Sequence, residues 1–224
     1  MASPSTSISP RKLRFDLYNL SYQDEPTTPL VISVLASLLE RTMVRNERIA
    51  RKCKWVSPVF AGTRIFDCDE IPDMSIQCFL ERIFRYTCVS PPVFVVAYVY
   101  IDRLCQLHPH FRISSTNVHR LLITTIMVAS KFLEDMNYRN SYFASVGGLT
   151  TIEMNKLEVD FLFSMGFKMH VNVSVFESYC SHLEREVSIG GGYQIERALR
   201  LCGGEITSKK REKRELDCLA RAVG

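Results

Sequence analysis

No CxxC pair occurs anywhere in this chain, although it carries eight cysteines (Cys53, Cys68, Cys78, Cys88, Cys105, Cys180, Cys202 and Cys218). Without paired spacing, and with apolar neighbours around most of them, they read as reduced thiols, not as a disulfide framework or a tetrahedral zinc site. No apolar run approaches the ~20 residues that a membrane span needs. The densest, Val93 to Ile101 and Leu121 to Ala129, are short and interrupted. No N-terminal apolar stretch suggests a secretory leader, so the expectation is a soluble protein of the nucleus, the cytoplasm or both. A large excess of one charge is missing too. The 28 basic and 24 acidic residues leave a net charge of +4, too mild to point to a nucleic-acid partner.

Catalytic signatures are also absent. There is no nucleophile elbow, metal-binding helix, P-loop or dinucleotide fingerprint, which argues against an enzyme and against a cofactor or small-molecule substrate. Gly190-Gly191-Gly192 has no GKS/T after it and no strand before it, so it reads as a flexible connection. His108-Pro109-His110 lacks a third ligand at a set distance, so no metal is expected.

What is present is helical periodicity. With 224 residues and 46% hydrophobic content, the chain can form one full-sized domain with modest extensions. Residues 1–26 are rich in Ser, Pro and Thr and predict a mostly disordered tail. Within it, Ser9-Pro10-Arg11-Lys12 has the form of a site for a proline-directed kinase. Thr28-Pro29 predicts a helix start, with Thr28 as N-cap. Leu30, Val31, Val34, Leu35, Leu38 and Leu39 then recur at helical spacing and need a surface to dock on. A basic stretch through Arg45, Arg48, Arg51, Lys52 and Lys54 and an irregular segment complete a region spanning 27–70.

From Ile71 the helices come close together, over residues 71–169. Ile76, Phe79, Leu80, Ile83 and Phe84 share one face, and Val89-Ser90-Pro91-Pro92 ends that helix. A second helix runs to about Leu107. The third, roughly Ser115 to Leu133, is apolar almost all round, as befits a helix surrounded by others. Thr124 and Thr125 inside it are expected to bond back to their own carbonyls. A short helix from Asn140 ends at Gly147-Gly148. Thr150 and Glu153 form a capping box that opens a fifth helix, which stops at Gly166. Ser174 and Glu177 predict the start of another in the final region, 170–224. Lys209 to Arg214 there reads equally as a nuclear address or a solvated helix end. No strand pattern survives, so the fold class is all-α.

Three segments add identity to this outline. Tyr100-Ile101-Asp102-Arg103-Leu104 resembles the Y-I-D-R-F segment of cyclins. Met127-Val128-Ala129-Ser130-Lys131-Phe132-Leu133-Glu134-Asp135 is similar to their L-A-S-K-[YF]-E-E signature, and Leu157-Glu158 falls where cyclins carry a glutamate on the fifth helix. Their order and spacing are compatible with a single five-helix cyclin box with flanking helices. The intervening wording, such as FLERIFRYT, LEVDFLF and HVNVSVFESYC, looks closest to the plant U-type (P-type) cyclins, which are similar to yeast phosphate-starvation cyclins.

The resemblance implies a partner, a cyclin-dependent protein kinase, and a regulatory role in cell-cycle or phosphate signalling. In the family a lysine on the third helix and a glutamate on the fifth grip the kinase; here these are Lys131 and Glu158. Many cyclins also bury an arginine of the first helix against the aspartate of the second. Asp102 is present, but the counterpart of that arginine is Asp73, so support would fall to Arg82 or Arg85. The alternative is a cyclin-fold transcription adaptor that binds nucleic acid without a kinase. Such proteins carry two boxes and a basic face, and the roughly 55 residues after Met169 are too few for a second box.

Overall fold

The structure, a computed structural model, describes residues 8–18, 28–53, 64–135 and 138–191. Among these, eight α-helices and no strand are present, so the fold is all-α as expected. In chain order they are α1 (Pro10–Tyr18), α2 (Leu30–Cys53), α3 (Ile76–Thr87), α4 (Pro91–Leu107), α5 (Val118–Leu133), α6 (Asn140–Gly147), α7 (Thr151–Ser164) and α8 (Val173–Glu186).

Helix α5 is the axis. Every residue from Val118 to Ser130 except Arg120 is buried. It packs on α3, α4, α6 and α7, which explains a sequence apolar on all sides. The two threonines on it behave as their chemistry dictates. Thr124 Oγ1 donates to the Arg120 carbonyl at 2.7 Å and Thr125 Oγ1 to that of Leu121 at 2.9 Å. His119 is also buried, its Nε2 at 2.9 Å from the Met74 carbonyl and its ring edge-on to Phe79. Burial holds its pKa below the ordinary imidazole value.

Local signals set the helix ends. Ser75 caps α3 by accepting from the Cys78 N–H at 3.2 Å. The Thr150/Glu153 capping box opens α7 with both reciprocal bonds in place. Gly148 closes α6 at φ +70°, a left-handed conformation natural to glycine. The last helix is capped differently from expectation. Asn172, not Ser174, accepts the free N–H of Val175 at 2.9 Å, so α8 begins at Val173. Asparagine is the stronger competitor because its carbonyl reaches the amide two or three residues on.

The largest departure is at the N-terminus. Residues 1–26 were expected to be a disordered tail, yet 10–18 form α1, which packs on α2, α4 and α8. Leu13 and Leu17, one helical turn apart, are buried in the common core. Three polar ties fix its place. Arg14 Nε sits 2.6 Å from Glu184, and the Tyr18 hydroxyl donates to Glu177 at 2.5 Å. Asp16 Oδ2 accepts the N–H of Leu30 at 2.8 Å. That last bond also corrects the reading of Thr28 as N-cap of α2. A carboxylate supplied by α1 satisfies the exposed donor at the positive helix end.

Helix α2 fulfils the docking expectation, with Leu30 to Leu39 all buried. It then continues without a break through Arg45, Arg48, Arg51 and Lys52; Lys54 lies outside the described residues. So do Cys202, Cys218 and the Lys209 to Arg214 run. Cys68, Cys78, Cys88, Cys105 and Cys180 are free thiols, and burial pushes those of Cys105 and Cys180 up to about 11. No described helix is long and apolar enough to cross a membrane.

Candidate functional site

Lys131 is the first residue of the last exposed turn of α5, where the buried run ends and Lys131, Phe132 and Leu133 all face outward. Glu158 stands on α7, next in sequence to Leu157, whose side chain is buried in the core. Packing of α5 against α7 brings the two together, with Lys131 Nζ 2.7 Å from Glu158 Oε1.

A third residue, which the sequence did not single out, closes the cluster. Asn140, at the start of α6, accepts from Lys131 Nζ through Oδ1 at 2.5 Å. Its Nδ2 donates to Glu158 Oε2 at 2.7 Å and to Asn155 Oδ1 at 2.8 Å. The amide thus bridges both charges, which fixes its orientation and theirs. The Glu158 carboxylate also lies near the N-terminal turn of α6, where the helix dipole favours negative charge. Nothing in sequence separation marks Asn140; only the α5–α6–α7 packing does.

Side-chain exposures of 33% for Lys131 and 18% for Glu158 leave the pair accessible from one side. An ammonium has three donors, and two of them are used by described residues. The exposed sides of α5 and α7 also carry apolar side chains. Phe132 and Leu133 are about half exposed. Along α7, Ile152, Val159 and Phe163 share the outward face, and Phe167 sets its ring edge-on to Phe163 at 5.2 Å. Exposed apolar side chains on the same helices as an accessible charged pair are a composition that association surfaces share.

The residues expected to support the second helix divide. Asp102 is half-buried, but its partners are the Tyr179 hydroxyl of α8 (2.5 Å) and Gln106 (2.8 Å), not Arg82 or Arg85. The assignment of Arg82 and Arg85 to that role is therefore corrected. A neutral phenol satisfies the carboxylate with less desolvation than a buried cation would require. Burial and that bond together push the Tyr179 phenol well above its usual range. Asp73 is exposed, ahead of the Ser75 cap. Arg103 donates to the carbonyls of Lys168 and His170, and the Tyr100 hydroxyl to that of Met169 at 2.8 Å. The YIDR segment thus clamps the chain leaving α7 and holds the end of that helix in place.

Ser9 caps α1, its Oγ accepting the N–H of Lys12 at 3.2 Å. His108 Nε2 lies 2.9 Å from the Ser164 carbonyl. Among the described residues no group of three His, Cys, Asp or Glu side chains converges to hold a metal ion.

Comparison with known proteins agrees with the fold. The profile of the cyclin family matches residues 29–169, so the matched region takes in α2 as well as the five helices from α3 to α7. The chain is 69% identical to Cyclin-U2-2 of Arabidopsis thaliana over 208 residues, covering 93% of this chain and 90% of the relative. It is 70% identical to Cyclin-U2-1 of the same plant over 207 residues (92% and 91%). To Cyclin-P2-1 of Oryza sativa subsp. japonica it is 52% identical over 208 residues (90% and 95%). The chain belongs to the cyclin family, among the plant U-type and P-type cyclins.

Proposed function

We propose that this chain is a regulatory subunit that binds a cyclin-dependent protein kinase and activates it by holding the kinase αC helix in its active position. The observation that carries this reading is the Lys131–Asn140–Glu158 cluster, fixed on three helices, two of which also expose apolar side chains. A kinase needs its strand lysine paired with the αC glutamate, and αC placement controls that pair. An apolar surface supplies contact area for a helix, while fixed charges select its register through backbone or polar groups. The catalytic groups belong to the kinase; this chain contributes shape and electrostatics. The test mixes the purified chain with each monomeric cyclin-dependent kinase of its source and a histone substrate. Phosphate incorporation that rises at least tenfold on adding the chain to one of them supports the reading. No stimulation of any kinase, with tight sequence-selective DNA binding in a mobility-shift assay, would establish the adaptor alternative instead.

We propose in addition that Ser9 is phosphorylated by a proline-directed kinase, the one bound to this chain among them. A kinase takes its substrate extended, whereas Ser9 caps a docked helix. Modification therefore requires α1 to come away first. Substituting Leu13→Ala and Leu17→Ala, which removes the two buried anchors of α1, is expected to raise phosphate on Ser9 severalfold by mass spectrometry. No phosphate on Ser9 in either protein rules the site out.

A further inference from the structure

The C-terminal half of α2 leaves the core and carries a row of cations. At 100° per residue, Arg41, Arg45, Arg48 and Lys52 fall within a sector of about 60°, forming one ridge along three turns. All four are exposed. Arg41 pairs with Glu186 of α8. Arg45, Arg48 and Lys52 make no ion pair and no side-chain hydrogen bond with described residues. Three adjacent cations with no counter-charge among the described residues repel one another, which helix packing alone does not call for. The Lys131 surface is built on α5, α6 and α7, whereas α2 packs on α1, α3, α4 and α8. The ridge is thus a separate feature, and its reading is independent of the kinase proposal.

We infer that this ridge is a docking site for a short phosphorylated segment of a partner protein. Three of the four cations are arginines, whose planar forks match phosphate oxygens two at a time. Successive cations are three or four residues apart, so they rise by about 4.5–6 Å along the helix. Side chains two residues apart on one face of an extended segment are about 6.6 Å apart, so two phosphates so placed meet neighbouring cations. The ridge is about 16 Å long, the reach of about five extended residues.

Two other anionic partners fit less well. A nucleic acid presents a long track of phosphates, but the ridge ends against Glu186 and the whole chain carries only +4. A membrane-lying helix buries one continuous apolar face. The apolar face of α2 is already in the core, and the exposed Val44 and Ile49 lie on opposite sides of the ridge.

The test uses the full chain and a short fluorescein-labelled Gly/Ser peptide bearing two phosphoserines separated by one residue. Fluorescence anisotropy is expected to show binding that the unphosphorylated peptide does not match. The triple substitution Arg45→Gln, Arg48→Gln, Lys52→Gln is expected to weaken it about tenfold. A control triple of equal charge, Arg11→Gln, Arg112→Gln, Arg185→Gln, changes only exposed residues elsewhere and is expected to stay within about twofold. Circular dichroism melts confirm that both triples fold. Equal losses in the two triples, equal binding of the unphosphorylated peptide, or stronger binding to duplex DNA or phosphatidylserine vesicles would overturn the inference.

Discussion

Exchanging Lys131 and Glu158 together for alanine is expected to yield a folded chain that no longer activates its kinase. Both side chains are partly exposed, and such a pair contributes about 0.2–1 kcal/mol to stability. For a chain of this size that shifts the melting midpoint by no more than about 4 °C. The effect at an interface is larger. Each removed side chain leaves the kinase group it met without a partner at a buried interface, at about 1–3 kcal/mol each, so apparent affinity should fall about thirtyfold or more. Affinity capture followed by a histone-kinase assay checks the activity, and a thermal melt checks the fold. The exchange of charges, Lys131→Glu with Glu158→Lys, separates two roles for the pair. It preserves attraction between α5 and α7 but inverts what an incoming kinase meets. Recovered activity in that variant would show that the pair acts by holding the helices together. Activity as low as in the alanine variant supports direct contact. Asn140→Ala keeps both charges and removes the group that orients them, so it should give an intermediate loss.

The parts of this architecture that sequence reading reached are those where the cause is local. Period-3.6 apolar spacing located the helices of the central bundle, and the Thr150/Glu153 box and Gly148 marked ends because each acts through its own neighbours. Lys131 and Glu158 were legible only because the segments around them resemble a family signature. Their 2.7 Å approach is a product of packing. What escaped depends on surfaces supplied from elsewhere. Nine residues cannot hold a helix alone in water, and isolated helices under about 12–15 residues are marginal. Helix α1 exists because α2, α4 and α8 accept Leu13 and Leu17, a fact absent from its own composition. The phenol that satisfies Asp102 is 77 residues away in sequence, so charge arithmetic pointed to Arg82 and Arg85 instead. Asn140 escaped for the same reason, since an asparagine at a helix start reads only as a local feature.

Replacing Phe161 with alanine should produce the opposite phenotype to the Lys131/Glu158 exchange: lost activity through lost structure. Phe161 is on the inner face of α7, with no solvent exposure. Its ring lies edge-on to Phe66 at 6.4 Å and against Tyr100 at 6.2 Å, and Phe66 in turn meets Phe111 at 6.2 Å. These contacts seat α7 on α4 and on the short turn around Phe66. Truncating a fully buried phenylalanine costs about 3–5 kcal/mol, combining lost transfer energy with the cavity left behind. At about 2–4 °C per kcal/mol, the melting midpoint should drop by about 10 °C. Kinase activation should fall in step with the folded fraction, because Glu158 is carried by the same helix three residues earlier. Tyr100→Phe is the graded companion. It keeps the ring against Phe161 but leaves the Met169 carbonyl without its donor, a loss of about 1–3 kcal/mol. A urea titration of all three proteins orders them. A Phe161→Ala midpoint equal to that of the parent would mean that α7 is not seated through this cluster, and the framework holding Glu158 would have to be sought elsewhere.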